Sequence, residues 1–596
     1  MAQQPGIIRR LIAYLTAYKG RFWLSIFLMA LFAVFQGVLP VLMGQATNEI
    51  MAGNMAGLEH AVLLLLISAI LMFVCGMLGQ RIFAGVSQQA LYDLRTALFS
   101  HIQSLSLNFF DRQPIGQLMS RVTNDIDVID QFFSNAFQNV MQAVVSIVVV
   151  TAFMLWLSVR LTLLIYTVLF ALMVFIYIVS SISRPIFSSL QEHISSLNGY
   201  AEEHIEGQKI VLAFMQEGRS VDEFSAISKK AAKAGRRASF TALITLPAAI
   251  TSANLQSVLL LVVGGVIVVT GKFELGLLVS FLGLSRGITG PLSHVFTSYS
   301  MLLNAIAGAS RVFSILDEKT AVADKADAPA MPTLRGEVAF DHVDFSYVPG
   351  RTVLRDNTFQ TEPGQVFGLC GPTGAGKSTI INILTRYYDI QSGAITIDGT
   401  RIDSVQQDSL RIQIAQVLQE PFLFSDTIME NLRYARREAT DEECIAAARQ
   451  AGADGFILVQ PEGYQTFLAD GGAGSLSQGQ RQMLTVARAM VANPRLLILD
   501  EATSNVDTRT EKLIQAGLLK LQQGRTSFII AHRLATIGHA DCILVIDKGE
   551  IIERGSHTDL MGKKGLYHTM YMSQFRGKLS GVVENACAGS RNFTPV

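Results

Sequence analysis

The sequence predicts a membrane all-α domain of six transmembrane helices extended into the cytoplasm, followed by an α/β domain on a largely parallel sheet. Three observations carry that prediction. The first half holds six long apolar tracts, the second half alternates strand-like with helical segments, and a glycine-rich stretch sits where a strand gives way to a helix.

Half of the 596 residues are hydrophobic (50%) and only 16% are charged, an apolar balance for a chain of this size. The excess is confined to Phe22 to Gln45, Ala61 to Gln80, Phe133 to Val159, Leu161 to Ser183, Thr241 to Gly271 and Leu275 to Ser310. Each tract is at least about 20 residues long, enough for a helix to cross a hydrocarbon core of roughly 30 Å. The first five contain no Asp, Glu, Lys or Arg, so Arg286 is the only formal charge inside the six.

The net charge of zero says nothing about partners, but the placement of Lys and Arg does. Arg9, Arg10, Lys19 and Arg21 precede the first tract; Arg95, Arg112 and Arg121 lie between the second and third; Lys229, Lys230, Lys233, Arg236 and Arg237 close the connection before the fifth. The opposite-side connections hold only Arg160 and Lys272. The positive-inside bias therefore puts both termini and the two long loops in the cytoplasm. MAQQPGIIRR is too short and polar for a cleavable signal, and the lack of a long Arg-rich leader points to a bacterial plasma membrane. The five cysteines are scattered and without metal-ligand spacing, which predicts free thiols.

The long connections, about Val86 to Gln131 and Arg184 to Phe240, keep helical periodicity with few breakers. The spanning helices are thus expected to continue past the bilayer before turning back. DEKTAVADKADAPAMPTLR is a linker, and after it VAFDHVDFSY, QVFGLCG, RLLILD and TSFIIAHR alternate with helical tracts. The expected organisation is a transmembrane domain over 1–316, a linker over 317–335, a nucleotide-binding domain over 336–576 and a loosely ordered tail over 577–596.

Gly371 to Thr379 reads GPTGAGKST and matches G-x-x-x-x-G-K-[ST], directly after the strand-like QVFGLC and before IINILTRYY. Over Gly371, Thr373, Gly374, Ala375 and Gly376, successive backbone N–H groups converge on phosphate oxygens while the following helix presents its positive end. Lys377 reaches the outer phosphates, Ser378 ligates Mg2+ and Thr379 completes the pattern. A chance glycine turn lacks this strand-loop-helix context, so the stretch is read as a nucleoside triphosphate site. Farther on, LLILDE delivers Asp500 to the Mg2+ shell and Glu501 to the place where a water is activated.

With these residues in view the chain resembles a half-transporter of the ATP-binding cassette (ABC) exporter family, of the bacterial multidrug or lipid type, from about Tyr18 to Arg576. SLSQGQRQ carries the family signature as Leu476, Ser477, Gln478, Gly479 and Gln480. Gln419 in QVLQEPFLFSDTI matches the Q-loop, Ser504 to Asp507 the D-loop, His532 the switch histidine, and Tyr347 the aromatic residue on which adenine stacks. In the first half, FFDRQPIGQLMSRVTNDID and EEHIEGQKIVLAFMQE resemble the cytoplasmic loops that rest on the ATPase in this family.

The resemblance implies ATP and Mg2+ as cofactors, a second half-transporter, identical or not, as partner, and no nucleic acid. Two domains meet head to tail, Ser477 and Gly479 of one chain capping the γ-phosphate held by Lys377 of the other. Glu501 acts as general base or orients water, His532 contacts the γ-phosphate, Gln419 links Mg2+ to the membrane domain, and closure drives alternating access. Gln478, Asn505 and Val506 depart from the common residues, and Phe467, Leu468 and Ala469 stand where many exporters carry TEVGE-like text. That last departure keeps a heterodimer open.

An arginine facing lipid at mid-depth is costly, so Arg286 is expected to face water, protein or substrate. His294 lies eight residues on, within about 80° of Arg286 on the same helix. One reading makes Arg286 structural, donating to helix carbonyls or to polar side chains such as Asn254 or Gln256, or snorkelling to solvent; the other gives Arg286 and His294 the anionic group of an amphipathic substrate. The function expected is ATP-driven export or flipping of hydrophobic or amphipathic compounds in contact with membrane lipid. The alternatives are an exporter-fold importer of metal-siderophore chelates, and an ATP-gated regulatory membrane protein, against which the intact Glu501 and His532 argue.

Overall fold

Apolar runs broken only by short polar turns fold into long helices. The structure, a computed structural model, describes residues 4–574 apart from 271–272, 321, 326, 473–475, 501–507 and 532–533. It divides into two units, Met1–Gln103 with Ile115–Glu318, and Ser104–Pro114 with Lys319–Val596.

The helices of the first half run in order α1 Gln4–Thr16, α2 Lys19–Ala52, α3 Met55–Ser104, α4 Leu107–Arg112, α5 Ile115–Ser120, α6 Ile126–Gln131, α7 Gln138–Leu157, α8 Val159–Glu206, α9 Gln208–Ala213, α10 Glu217–Val269 and α11 Leu275–Leu316. π-helical turns at Arg121–Asp125 and Phe132–Phe137 join α5, α6 and α7 into one run. The six apolar tracts fall on α2, α3, the run ending in α7, α8, α10 and α11. Among the described residues, Lys19–Ala52, Met55–Ser104, Ile115–Leu157 and Leu275–Leu292 are long and apolar enough to cross a membrane; the apolar described parts of α8 and α10 are the shorter Val159–Phe175 and Asn254–Val269. With 50 residues, α3 is about 75 Å long, far beyond the roughly 30 Å of a bilayer core. The helix therefore continues well past a bilayer core, as its unbroken helical periodicity predicts.

Packing within the first unit is closest where side chains vanish. A Cβ on Gly44 of α2 would lie 2.2 Å from the Gly276 carbonyl oxygen of α11, so these helices meet backbone to backbone. Asn48 pins the same place, its Oδ1 accepting from the Gly276 N–H at 2.7 Å and its amide donating to Glu274 Oε2 at 2.5 Å. Leu161, Leu260, Phe281, Leu284 and Ile288 fill the core between α8, α10 and α11. Near the other end of α11, Arg311 Nε donates to Asp125 Oδ2 at 2.8 Å, and its NH2 group reaches Asp125 Oδ1.

In the second unit β1 Val338–Phe345, β2 Leu354–Gln360, β4 Ser392–Ile397 and β5 Thr400–Arg401 form an antiparallel sheet in the order β2-β1-β4-β5. β3 Val366–Cys370, β6 Ile414–Val417, β7 Leu496–Asp500, β8 Thr526–Ile530, β9 Cys542–Asp547 and β10 Glu550–Gly555 form the main sheet, ordered β10-β9-β3-β8-β7-β6. All its pairings are parallel except that of the edge strand β10. The strand read from VAFDHVDFSY therefore belongs to a separate antiparallel layer. Two large hydrophobic clusters and a smaller third, around Ile537, Ile543 and Tyr567, lie in the unit. One large cluster lies between the sheets and α12 Lys377–Leu384. The helices α13 Gln407–Arg411, α14 Ile428–Arg433, α15 Asp441–Gln450, α16 Asp454–Ile457, α17 Gln478–Ala492, α18 Thr508–Gln522 and α19 His557–Lys563 complete the unit, and α14, α15, α17 and α18 supply most of the other large cluster.

The linker has almost no regular structure, yet it is tied down. Buried Arg386 donates to Val405 O at 2.6 Å, to Asp324 Oδ1 at 3.0 Å and to Ala323 O at 3.4 Å. Gln407 adds two donations to Asp324, each 3.0 Å. Cys75, Cys370, Cys444 and Cys542 are free thiols, while Cys587 lies outside the described residues.

Candidate functional site

The phosphate loop follows from local backbone demands. β3 ends at Cys370, and Gly371 turns the chain where any side chain would collide: a Cβ would stand 2.0 Å from Ile546 O of β9. Gly376, at φ 108, is the left-handed residue from which α12 starts. Between them the exposed Thr373 and Gly374 and the buried Ala375 complete the loop. Lys377 is buried and donates from Nζ to the carbonyls of Gly371 and Pro372, each at 2.9 Å, which holds its ammonium over the loop. Ser378 is exposed on the first turn of α12. Beneath the loop, burial pushes the Cys370 thiol up to about 12.

Tyr347 stands beside this loop. Its hydroxyl donates to Thr379 Oγ1 at 3.2 Å and accepts from Asn382 Nδ2 at 3.2 Å. Its ring meets Phe345 and Tyr388 edge-on at 4.8 and 4.9 Å. A ring anchored to the phosphate helix in this way suits the stacking role that the resemblance assigns to it.

Strand register assembles the rest. Leu369 of β3 pairs with Ile530 of β8, which pairs with Asp500 of β7. Asp500 therefore ends its strand level with the start of the loop, two strands or about 10 Å across. Leu499 pairs with Val417 of β6, two residues before the exposed Gln419. The loop, Asp500 and Gln419 thus share the carboxyl end of one parallel sheet, where open α/β folds bind ligands. Glu501 and His532, which directly follow β7 and lie two residues beyond β8, fall outside the described residues, as does Asp507. For the metal, the Ser378 hydroxyl, the Asp500 carboxylate and the Gln419 amide are hard oxygen donors of the kind Mg2+ takes.

Ser477 caps α17, accepting from Gln480 N–H at 3.2 Å, while Gln480 Oε1 accepts from Ser477 N–H at 2.8 Å. This capping box holds the signature at a helix N-terminus, with Gly479 buried behind it. Leu476 belongs to the helical cluster, whereas Ala375 and Ile380 of the phosphate loop and α12 belong to the sheet cluster. The two motifs are built on separate cores. Of the residues upstream of the signature, Phe467 is exposed and Leu468 fully buried.

Three contacts escaped the sequence reading. Arg488 of α17 donates to Phe422 O at 2.9 Å and to the carbonyl and side-chain oxygens of Asn431 at 2.8 Å each, clamping the segment after Gln419. Gln482 Nε2 donates to Leu418 O at 3.2 Å, joining α17 to the residue before Gln419. Tyr388 donates its hydroxyl to Asp111 of α4, which lies with it in the second unit. The capping box was readable as S-x-x-Q, and the resemblance already marked the stretch holding Asp111 as one that rests on the ATPase; nothing in the sequence marked the pairings of Arg488 and Gln482 or the choice of Tyr388.

On the membrane side, α11 carries Arg286 and His294, both exposed. Among the described residues no hydrogen bond joins Arg286 to Asn254 or Gln256.

A helical membrane half joined to an α/β nucleotide-binding half defines an ATP-hydrolysing membrane transporter. The chain belongs to the ABC transporter family: residues 22–292 match the ABC transporter transmembrane region and 354–504 the ABC transporter domain. It is 39% identical over 573 residues to the uncharacterized ABC transporter ATP-binding protein YfiC of Bacillus subtilis, covering 96% of this chain and 94% of that protein. It is 42% identical over 484 residues, 81% of this chain and 76% of the relative, to the fatty acid ABC transporter ATP-binding/permease protein of Mycobacterium bovis. Among solved structures, a bacterial Atm1-family ABC exporter with ATP bound superposes with a TM-score of 0.76 at 28% identity, covering 93% of this chain and 98% of that one.

Proposed function

We propose that the protein exports or flips hydrophobic or amphipathic compounds across a bacterial plasma membrane, with both termini cytoplasmic, as one half of a dimer that works by alternating access. The observation that carries this reading is the common sheet end of the phosphate loop, Asp500 and Gln419, in a chain whose other half is long apolar helices. The relative named as a fatty acid transporter adds long-chain carboxylates to the cargo considered.

In this reading the loop from Gly371 to Thr379 cradles the phosphates and Lys377 turns from its loop carbonyls to the outer phosphates of ATP. Ser378, Gln419 and Asp500 hold Mg2+, which neutralises phosphate charge when bound. Glu501 orients or deprotonates the attacking water, and His532 contacts the γ-phosphate. Ser477, Gly479 and Gln480 sit on a core separate from the phosphate loop, which favours their capping the nucleotide of a second chain, with Asp507 at the same junction.

The test is Mg2+-dependent ATP hydrolysis by the purified chain in lipid nanodiscs, beside Glu501→Gln, with chains per disc counted. Two chains per disc and turnover abolished by the substitution support a self-sufficient homodimer. A single chain or a silent pair indicates a different second half. Uptake of labelled amphiphile into inverted vesicles on ATP addition reads the outward direction; loss of preloaded label sinks it.

A further inference from the structure

We infer that Arg286, Gly290 and His294 form a head-group subsite in the membrane half, whose ligand is an amphipathic molecule with one anionic head, a carboxylate or a phosphate. The inference rests on the transport reading above and names the chemistry of its cargo.

The three residues recur every four positions along α11 and all three are exposed, whereas Phe281, Leu284, Ser285 and Ile288 on the same helix are buried. At 100° per residue each step of four drifts by about 40°, so the strip is only about 80° wide and about 12 Å long. Within it Gly290 leaves a gap, since a Cβ built there meets nothing within 4 Å. The strip is therefore a notch with a guanidinium at one end and an imidazole at the other.

A third donor lies at the same depth. Leu278 Cδ1 comes within 2.5 Å of the Cβ position of Gly264 on α10. The two helices run antiparallel through the turn after Val269, so counting eight residues back from Gly264 and eight forward from Leu278 arrives at Gln256 and Arg286. Gln256 is 4% exposed, and among the described residues its Nε2 has no hydrogen-bond partner.

Every group assembled here donates or carries positive charge, and the apolar tract from Leu275 to Ser310 contains no carboxylate. Among the described residues none pairs with Arg286. A guanidinium left in hydrocarbon is strongly unfavourable, and its planar fork matches a carboxylate or phosphate in two parallel hydrogen bonds. The apolar side chains around the notch then take the ligand's hydrocarbon tail.

The test measures binding of a dansyl-labelled long-chain carboxylate, and of its neutral alcohol analogue, to the full chain in phosphatidylcholine nanodiscs. Arg286→Gln is expected to weaken carboxylate binding about tenfold or more and leave the alcohol unchanged. Gly290→Leu, whose Cβ meets nothing within 4 Å, is expected to weaken it as well, and Arg160→Gln, a charge-matched control, to match the parent in binding and turnover. Discs containing phosphatidylglycerol separate the sources: competition assigns the notch to a lipid phosphate, and its absence to the free carboxylate. Carboxylate binding that survives both Arg286→Gln and Gly290→Leu, or falls equally with the alcohol, overturns the subsite. Failure of the transport reading looks different: no amphiphile binds the parent chain and none alters its ATP turnover.

Discussion

Tyr388 donates its hydroxyl to the Asp111 carboxylate, 277 residues earlier in the chain, while its ring packs edge-on against Tyr347. A line of contacts thus runs from α4 through Tyr388 and Tyr347 to Thr379 on the phosphate helix. Burial first, and the Asp111 hydrogen bond second, raise the Tyr388 pKa above its ordinary value. The folded value exceeds the unfolded one, so the contribution is complete below about pH 10 and is lost only as pH rises through the folded value. Tyr388→Phe keeps the ring and removes the bond. ATP affinity by fluorescent-nucleotide titration is expected to stay within about twofold, while amphiphile-stimulated hydrolysis falls about threefold to tenfold. Full stimulation in the variant would make the bond incidental to coupling.

The pair between Arg311 and Asp125 invites a double-mutant cycle. Asp125 is buried at a π-helical turn and Arg311 is half-exposed, so solvent screens part of the interaction. A coupling of about 1–2 kcal/mol is expected between Arg311→Gln and Asp125→Asn in thermal unfolding of the full chain. Additive single effects would show that the two side chains act independently.

Gln480 separates stability from activity at the signature. Gln480→Glu preserves the capping box, because either side chain can accept from the Ser477 N–H, and it adds a negative charge beside the proposed γ-phosphate. Melting temperature should hold while turnover falls at least about tenfold. Ser477→Ala, by contrast, should cost about 1 kcal/mol of stability as well as turnover. Equal turnover for Gln480→Glu and the parent would contradict the signature's role.

Arg488→Met removes three donations to the segment around Phe422 and Asn431, leaving Asn431 Oδ1 only its bond from the Phe424 N–H. A loss of about 2–4 kcal/mol is expected, read as a lower unfolding midpoint, with faster proteolysis between Gln419 and Asn431. An unchanged midpoint would mean that water replaces the guanidinium freely.

Cys370 tests the seal under the phosphate loop. Its thiol is fully buried and pushed up to about 12 by burial, so at neutral pH almost no thiolate forms. Peptide mass spectrometry after N-ethylmaleimide treatment should find Cys370 unlabelled in the native chain and labelled after unfolding. Rapid native labelling would mean that β3 and the loop open readily.

Much of this was legible because some chemistry is local. The phosphate loop needs left-handed or side-chain-free positions at Gly371 and Gly376, and those leave a contiguous trace. Apolar tracts long enough to cross a bilayer are equally local, and each falls on a long helix. Contacts such as Arg488 with Asn431 join positions 57 apart through backbone oxygens that every residue possesses, so no residue pattern announces them. The linker shows the same limit. Its composition signals the lack of regular structure, but not that Arg386 and Gln407 hold Asp324 in place.

The sequence by itself determined the apolar spans, the strand-loop-helix proposed to cradle phosphate and the residue types available for hydrolysis, since each depends on neighbours within a few turns of chain. Only the tertiary structure decided that β8 lies between β3 and β7, which sets Asp500 level with the phosphate loop. It also decided that Asp111 of α4 meets Tyr388, and that Arg286, Gly290 and His294 line one open strip. The physical reason is that strand order, register and burial are settled by packing between distant segments, where the free energy depends on the shape of the whole core.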